Sequence, residues 1–314
     1  MSILPTVIAT IERLAHVSLH ILGYKSRRLK TSVGRVHALD GRGFGGLPPT
    51  VLLHGFSASA IHYATLMRQL RPHVQRLIVP DFPAHGQSES PRHVTFEAVE
   101  RGLFEALDQL IPDDQPAVLF GNSMGGHAAI LYALARPKKV AGLLLCSPGG
   151  AAMTADEVAA FVRTFEIRDH AEALEFTDRL FARQTLLRRF IAWGVQKKFE
   201  KPDLRVLLAS LRPEDLLRPE DLKSLTVPTL VLWGRADTIL TPDSREFYRR
   251  NLPQHARLEE PDGYGHSPYL DSPREVGQRL LGFLSEVAGQ KQQRAGAPPT
   301  SATSSARAPA DRAG

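Results

Sequence analysis

The stretch that most constrains this chain runs from Ala117 to Ala135. An apolar tetrad, Ala117-Val118-Leu119-Phe120, leads into Gly121-Asn122-Ser123-Met124-Gly125-Gly126, and a run of good helix formers follows from His127. A strand that turns at once into a helix through G-x-S-x-G needs a tight, strained corner. Side chains at the flanking positions would collide with backbone, and glycine avoids this by having no Cβ. The corner lifts the serine hydroxyl out of the sheet, and the helix behind it offers free N–H groups and the positive end of its dipole. Ser123 is therefore a candidate nucleophile. The competing reading is a glycine-rich strand-to-helix turn with no chemistry, so the rest of the chain must decide.

Around this corner, short apolar runs alternate with helical segments. Residues 31–39 read as a first strand and 41–49 as a Gly/Pro loop. Strands are then expected at Thr50–Leu53, Leu77–Val79, Val140–Cys146, Thr229–Trp233 and Ala256–Glu260, with helices at Ile61–Leu70, Thr95–Leu110, Asp243–Asn251 and Pro273–Ala288. Fully apolar short strands separated by helices predict a mostly parallel central sheet flanked by helices on both faces. The alternation stops at Ser147-Pro148-Gly149-Gly150. From 149 to 224 the chain reads as helical, with phenylalanines spread along it and Leu-Arg-Pro-Glu-Asp-Leu in tandem at 211–216 and 217–222. Each copy puts Pro and acids where a first helical turn accepts them. This segment is expected to be a helical cap over the carboxyl edge of the sheet, where ligands bind in such architectures. The expected organisation is an N-terminal amphipathic helix over 1–30, a core over 31–148 and 225–288, the cap over 149–224 and a disordered tail over 289–314.

Charge and cysteine bound the function. The chain of 314 residues carries a formal net charge of +6. Five cations against Glu12 give residues 1–30 a charge of +4, and four against Asp311 give 289–314 a charge of +3, leaving the middle at −1. The basic balance belongs to the ends, so no nucleic-acid-binding core is expected. The single cysteine, Cys146, allows no internal disulfide, which fits a cytoplasmic protein; set in an apolar run, it reads as a buried structural thiol. Residues 1–24 repeat apolar groups at helical spacing but are interrupted by Glu12, Arg13, His16 and His20, which argues against a membrane span. Two readings stand: the helix packs on the body, or it makes peripheral membrane contact, with Lys25, Arg27, Arg28 and Lys30 meeting lipid head groups.

Three chemistry-bearing groups fall in chain order after expected strands: Ser123, Asp237 and His266. A serine hydroxyl needs a base, and His266 is the candidate. A histidine base needs a carboxylate on its other nitrogen, and Asp237 follows its strand at a turn-like distance, with Asp243 and Asp262 as competitors. His54, His85 and Asp81 also follow strands; His54 reads as structural, His85 and Asp81 as loop braces. The backbone N–H groups of Phe56 and Met124 are positioned to form an oxyanion hole.

Five segments in this order, His54-Gly55-Phe56-Ser57, Asp81–Ser88, Gly121–Gly126, Gly234–Asp237 and Gly265-His266-Ser267, make the chain resemble the α/β-hydrolase superfamily from about 31 to 288. One departure is Ala84, where the family usually has glycine. The resemblance implies the α/β-hydrolase fold with a helical cap after the sixth strand. It also implies a Ser-His-Asp triad and no metal or organic cofactor. Monoacylglycerol lipase-like esterases share the His-Gly-Phe-Ser and Asn-Ser-Met-Gly-Gly segments, which implies hydrolysis of a small lipid-like ester with an apolar acyl group. Carbon–carbon bond hydrolases of ring-cleavage pathways share Gly-Asn-Ser-Met-Gly-Gly and the Pro-Gly-Gly at 148–150, and form the alternative. They usually carry a tryptophan after the histidine, where this chain has Ser267. A hydrolase fold that only binds its ligand is a third reading.

Overall fold

In the computed structural model, which describes residues 4–183 and 187–296, eight strands form one sheet in the order β1-β2-β4-β3-β5-β6-β7-β8. The strands β3 (Thr50–Leu53), β4 (Arg76–Pro80), β5 (Ala117–Ser123), β6 (Val140–Pro148), β7 (Thr229–Leu232) and β8 (Arg257–Glu259) pair in parallel. Side chains alternate between its two faces. Val51, Leu53, Leu119, Leu143 and Val231 pack on one side with α3 (Phe96–Leu110), α4 (Met124–Ala135) and α10 (Pro242–Asn251). Leu52, Phe120, Leu144, Cys146 and Leu232 pack on the other with α2 (Ala64–Leu70) and α12 (Pro273–Gly296). Because both faces are covered, both sets must be apolar, which is why these strands read as unbroken hydrophobic runs.

The first two strands differ from the expectation. A hairpin of β1 (Lys25–Thr31) and β2 (Gly34–Arg42) replaces the single strand read at 31–39, and β2 joins β4 antiparallel. The sheet therefore begins at Lys25, and the boundary expected at residue 30 is corrected to lie before it. Strand β1 is the sheet edge, and only Leu29 of its seven residues is buried. Lys25, Arg27 and Arg28 are exposed along it, a charged edge that resists pairing with another chain. The preceding helix, α1 (Leu4–Ile21), packs on the body through Leu19 and through Ser18, whose hydroxyl accepts a 2.7 Å bond from Arg68. Among the described residues no helix is long and apolar enough to cross a membrane. At the other end α12 continues to Gly296, so residues 289–296 of the expected tail are helical; the remainder, 297–314, lies outside the described residues.

Between β6 and β7 stand α5 (Ala155–Arg163), α6 (His170–Leu180), α7 (Arg188–Phe199), α8 (Pro202–Ala209) and α9 (Pro219–Lys223). Phe165, Phe176 and Phe199 form an aromatic cluster of their own, which meets the core at Phe56 and Ile239. The tandem hexapeptide starts two helical turns. In each copy the aspartate accepts a bond from the arginine N–H three residues back, Asp215 from Arg212 at 2.9 Å and Asp221 from Arg218 at 2.7 Å. Strand order reverses about β3, whose successor in sequence, β4, lies to one side while β5 lies to the other. This opens a crevice at the carboxyl ends of β3 and β5, beside the helices that stand between β6 and β7.

Candidate active site

Ser123 closes β5 at φ 52° and ψ −119°, a left-handed conformation that non-glycine residues rarely adopt. The close passage of chain around it explains the glycines. A Cβ on Gly121 would lie 2.3 Å from the Gly125 carbonyl oxygen, and one on Gly125 would lie 2.1 Å from that of Leu53. Met124 follows as the first residue of α4. Gly55 abuts the corner from β3, its Cβ position 3.3 Å from Ser123 Cβ, so the loop carrying Phe56 runs beside the serine.

His266 sits between β8 and α11 (Pro268–Asp271) and is 5% exposed. Its Nδ1 is 2.9 Å from Asp237 Oδ2. The other oxygen of Asp237 accepts bonds from the Ile239 and Leu240 N–H groups at 2.8 and 3.2 Å. Burial pushes the Asp237 carboxyl up, but the His266 ring and these bonds outweigh it and hold the group below the usual carboxylate range. The acceptor on Nδ1 fixes the tautomer that leaves Nε2 to act as a base. The competing carboxylates are elsewhere: Asp262 pairs with Arg235 at 3.1 Å, and Asp243 occupies the first turn of α10. Ser123 and His266 line one cavity of about 510 Å³, without a direct hydrogen bond between the two side chains. Such bonds commonly tighten only when substrate is bound. The cavity wall is mainly apolar, with Phe165, Phe176, Phe190 and Ile191 of the segment between β6 and β7 lining it beside Ile239.

Asn122, not singled out by sequence, tethers this arrangement. Its buried Nδ2 donates to the Cys146 carbonyl at 2.9 Å and to the His266 carbonyl at 2.8 Å. It thus ties the corner to the neighbouring strand and to the loop that carries His266. The other strand-end groups brace loops. His54, fully buried, donates from Nδ1 to the Gly55 carbonyl at 2.8 Å and accepts the Phe82 N–H on Nε2 at 3.1 Å. Asp81 takes three bonds, from His37 Nδ1, Ala60 N–H and Gln87 N–H, at 2.7, 2.7 and 2.9 Å. Burial alone would raise its carboxyl, yet the bond from His37, the nearby His54 ring and the Ala60 N–H bring it down to about 2. His85 Nδ1 donates to the Pro83 carbonyl at 3.0 Å. Ala84 beside it has φ 65°, the conformation that favours glycine there. Among the described residues no group of three or more His, Cys, Asp or Glu could hold a metal ion.

A diacylglycerol lipase of Mus musculus, sn-1-specific diacylglycerol lipase ABHD11, is 27% identical over 76% of this chain and 81% of its own. Lipase 1 of Psychrobacter immobilis is 25% identical over 86% of each chain. The crystal structure of a bacterial membrane phospholipase A superposes with a TM-score of 0.75 over 91% of this chain and 93% of that one, at 23% identity, a likeness of fold. The profile described as "Alpha/beta hydrolase family" matches residues 50–279, and the chain belongs to that family.

Proposed function

We propose that this chain is a serine carboxylic-ester hydrolase for substrates with an apolar acyl group. The observation that carries the reading is His266, held by the buried Asp237 and lining one aromatic-walled cavity together with Ser123. In the proposed reaction His266 Nε2 takes the Ser123 proton as Oγ attacks the ester carbonyl. Asp237 orients the ring and stabilises its cationic form. The backbone N–H groups of Phe56 and Met124 receive the charge that develops on the carbonyl oxygen. The alcohol leaves with the proton held by His266, and water then releases the acid from Ser123 by the same steps in reverse roles. No metal or organic cofactor enters.

The apolar wall and the lipase names of the relatives support a lipid-like ester. A stripe on α1, Leu14, Val17 and Ile21, is exposed, and with the basic strand β1 that follows in sequence it supports peripheral docking of this end on a membrane. Initial rates on esters of increasing acyl length, run beside a vinylogous 1,5-diketone, test the reading. Turnover of the esters that rises with chain length supports it; turnover of the diketone alone supports carbon–carbon hydrolysis; binding with no turnover of either supports the ligand-binding reading.

A further inference from the structure

Behind the catalytic cavity lies a second one of about 500 Å³, roofed by α1 and α7 and floored by the loop that follows β4. The two share Ser57, Ala58, Ile61, Gly194 and Lys198 in their walls and so lie side by side. Their chemistry is opposite. The first is mainly aromatic and aliphatic. The second is faced by Arg13, Lys197, Lys198 and Lys201 against one carboxylate, Asp81, which His37 and two N–H groups already occupy.

The cations differ in freedom. Lys197 is paired with Glu200, and Lys198 donates to His62 Nε2 at 2.9 Å, which holds it at the junction of the two cavities. Among the described residues Arg13 and Lys201 have no carboxylate partner. His85 also lines this cavity, but it is 2% exposed and its Nε2 is buried out of reach, so the cations are what this cavity offers a ligand.

We infer that the second cavity is a head-group subsite for a phosphate-bearing ester. The phosphate lies on Arg13 and Lys201, with Lys198 at the neck. The substrate class is a lysoglycerophospholipid, whose single acyl chain fills the aromatic cavity. Hydrolysis breaks the acyl C–O bond at Ser123, water supplies the incoming oxygen, and the phosphate departs untouched on the alcohol. The inference rests on the ester-hydrolase reading of the first cavity.

The test compares kcat/KM of the full chain for 1-lauroylglycerol and for 1-lauroylglycerol 3-phosphate, both below their aggregation thresholds. The wild type is expected to favour the phosphate ester by about tenfold at low salt, with the preference shrinking as salt rises. The double variant Arg13→Gln, Lys201→Gln should bring the ratio near one. Lys223→Gln, on the remote α9, should leave the ratio as in the wild type. A wild-type ratio at or below one, or a ratio that the double variant does not change, overturns the inference. So does competition by inorganic phosphate without a preference for the phosphate ester, which would mark a site for free anions. Failure of both esters strikes the ester-hydrolase reading itself, whereas turnover of the neutral ester alone strikes only the subsite.

Discussion

Replacing Asn122 by alanine removes a single amide and tests how the candidate site is held together. The Nδ2 group donates to two buried carbonyls, Cys146 at 2.9 Å and His266 at 2.8 Å. Both lose their donor, and water has little access, since Asn122 is 1% exposed. An unsatisfied buried group costs about 1–3 kcal/mol, and the small void adds to this, so a loss of about 3 kcal/mol is expected. For a chain of this size that lowers the melting temperature by roughly 6–10 °C. The catalytic effect is separate. Losing the tether to its carbonyl frees His266 to shift, and a displacement of about 1 Å can cost on the order of 100-fold in rate. Thermal unfolding by circular dichroism, with kcat on a p-nitrophenyl ester measured well below the transition, reads the two effects apart. Asn122→Asp, similar in shape but without the donor, should destabilise at least as much. A melting temperature within about 2 °C of wild type, together with kcat within about twofold, would refute the reasoning.

Three further outcomes follow from the same geometry. Asp237→Asn should lower kcat on esters by about 10⁴-fold, because the amide favours the wrong tautomer of His266; steady-state rates within tenfold of wild type would count against the assignment. Burial holds His85 and His127 neutral, bringing them down to about 3 and about 4. The unfolded chain protonates them near 6.5, so their stabilising effect is complete above that pH and is lost as pH falls towards those values, by about 1.4 kcal/mol per pH unit for each. Urea midpoints that do not change between pH 7.5 and pH 5 would contradict this. Gly125→Ala should prevent folding, since its Cβ would stand 2.1 Å from the Leu53 carbonyl oxygen; a soluble variant with native near-ultraviolet dichroism would show that the corner is looser than described.

What was legible in the sequence follows from which groups must be apolar. Strands covered on both faces are continuous hydrophobic runs, so β3 to β7 could be placed from Thr50, Leu77, Ala117, Val140 and Thr229 onward. The corner at Ser123 was legible because only glycine tolerates its crowding at 121 and 125. Strand β1 was not, because Lys25-Ser26-Arg27-Arg28-Leu29-Lys30-Thr31 lies at the exposed sheet edge and has no apolar alternation. Its charges read as a basic flank to α1 for the same reason. The tether at Asn122 was hidden as well: it occupies a variable position of its motif, and its two acceptors lie 24 and 144 residues away. The bond from His37 to Asp81 spans 44 residues and carries no local pattern. Sequence named Asp81 as a brace without showing what it holds. The role of Ala84 needed its φ of 65°, which residue identity alone does not report.

The most direct measurement is covalent. A fluorophosphonate incubated with the full chain, followed by intact mass and peptide mapping, reports which hydroxyl the protein activates. One adduct per chain on Ser123, absent from Ser123→Ala together with all turnover of esters, is the predicted result. An adduct on another residue, or esters still hydrolysed at the wild-type rate by Ser123→Ala, would contradict it.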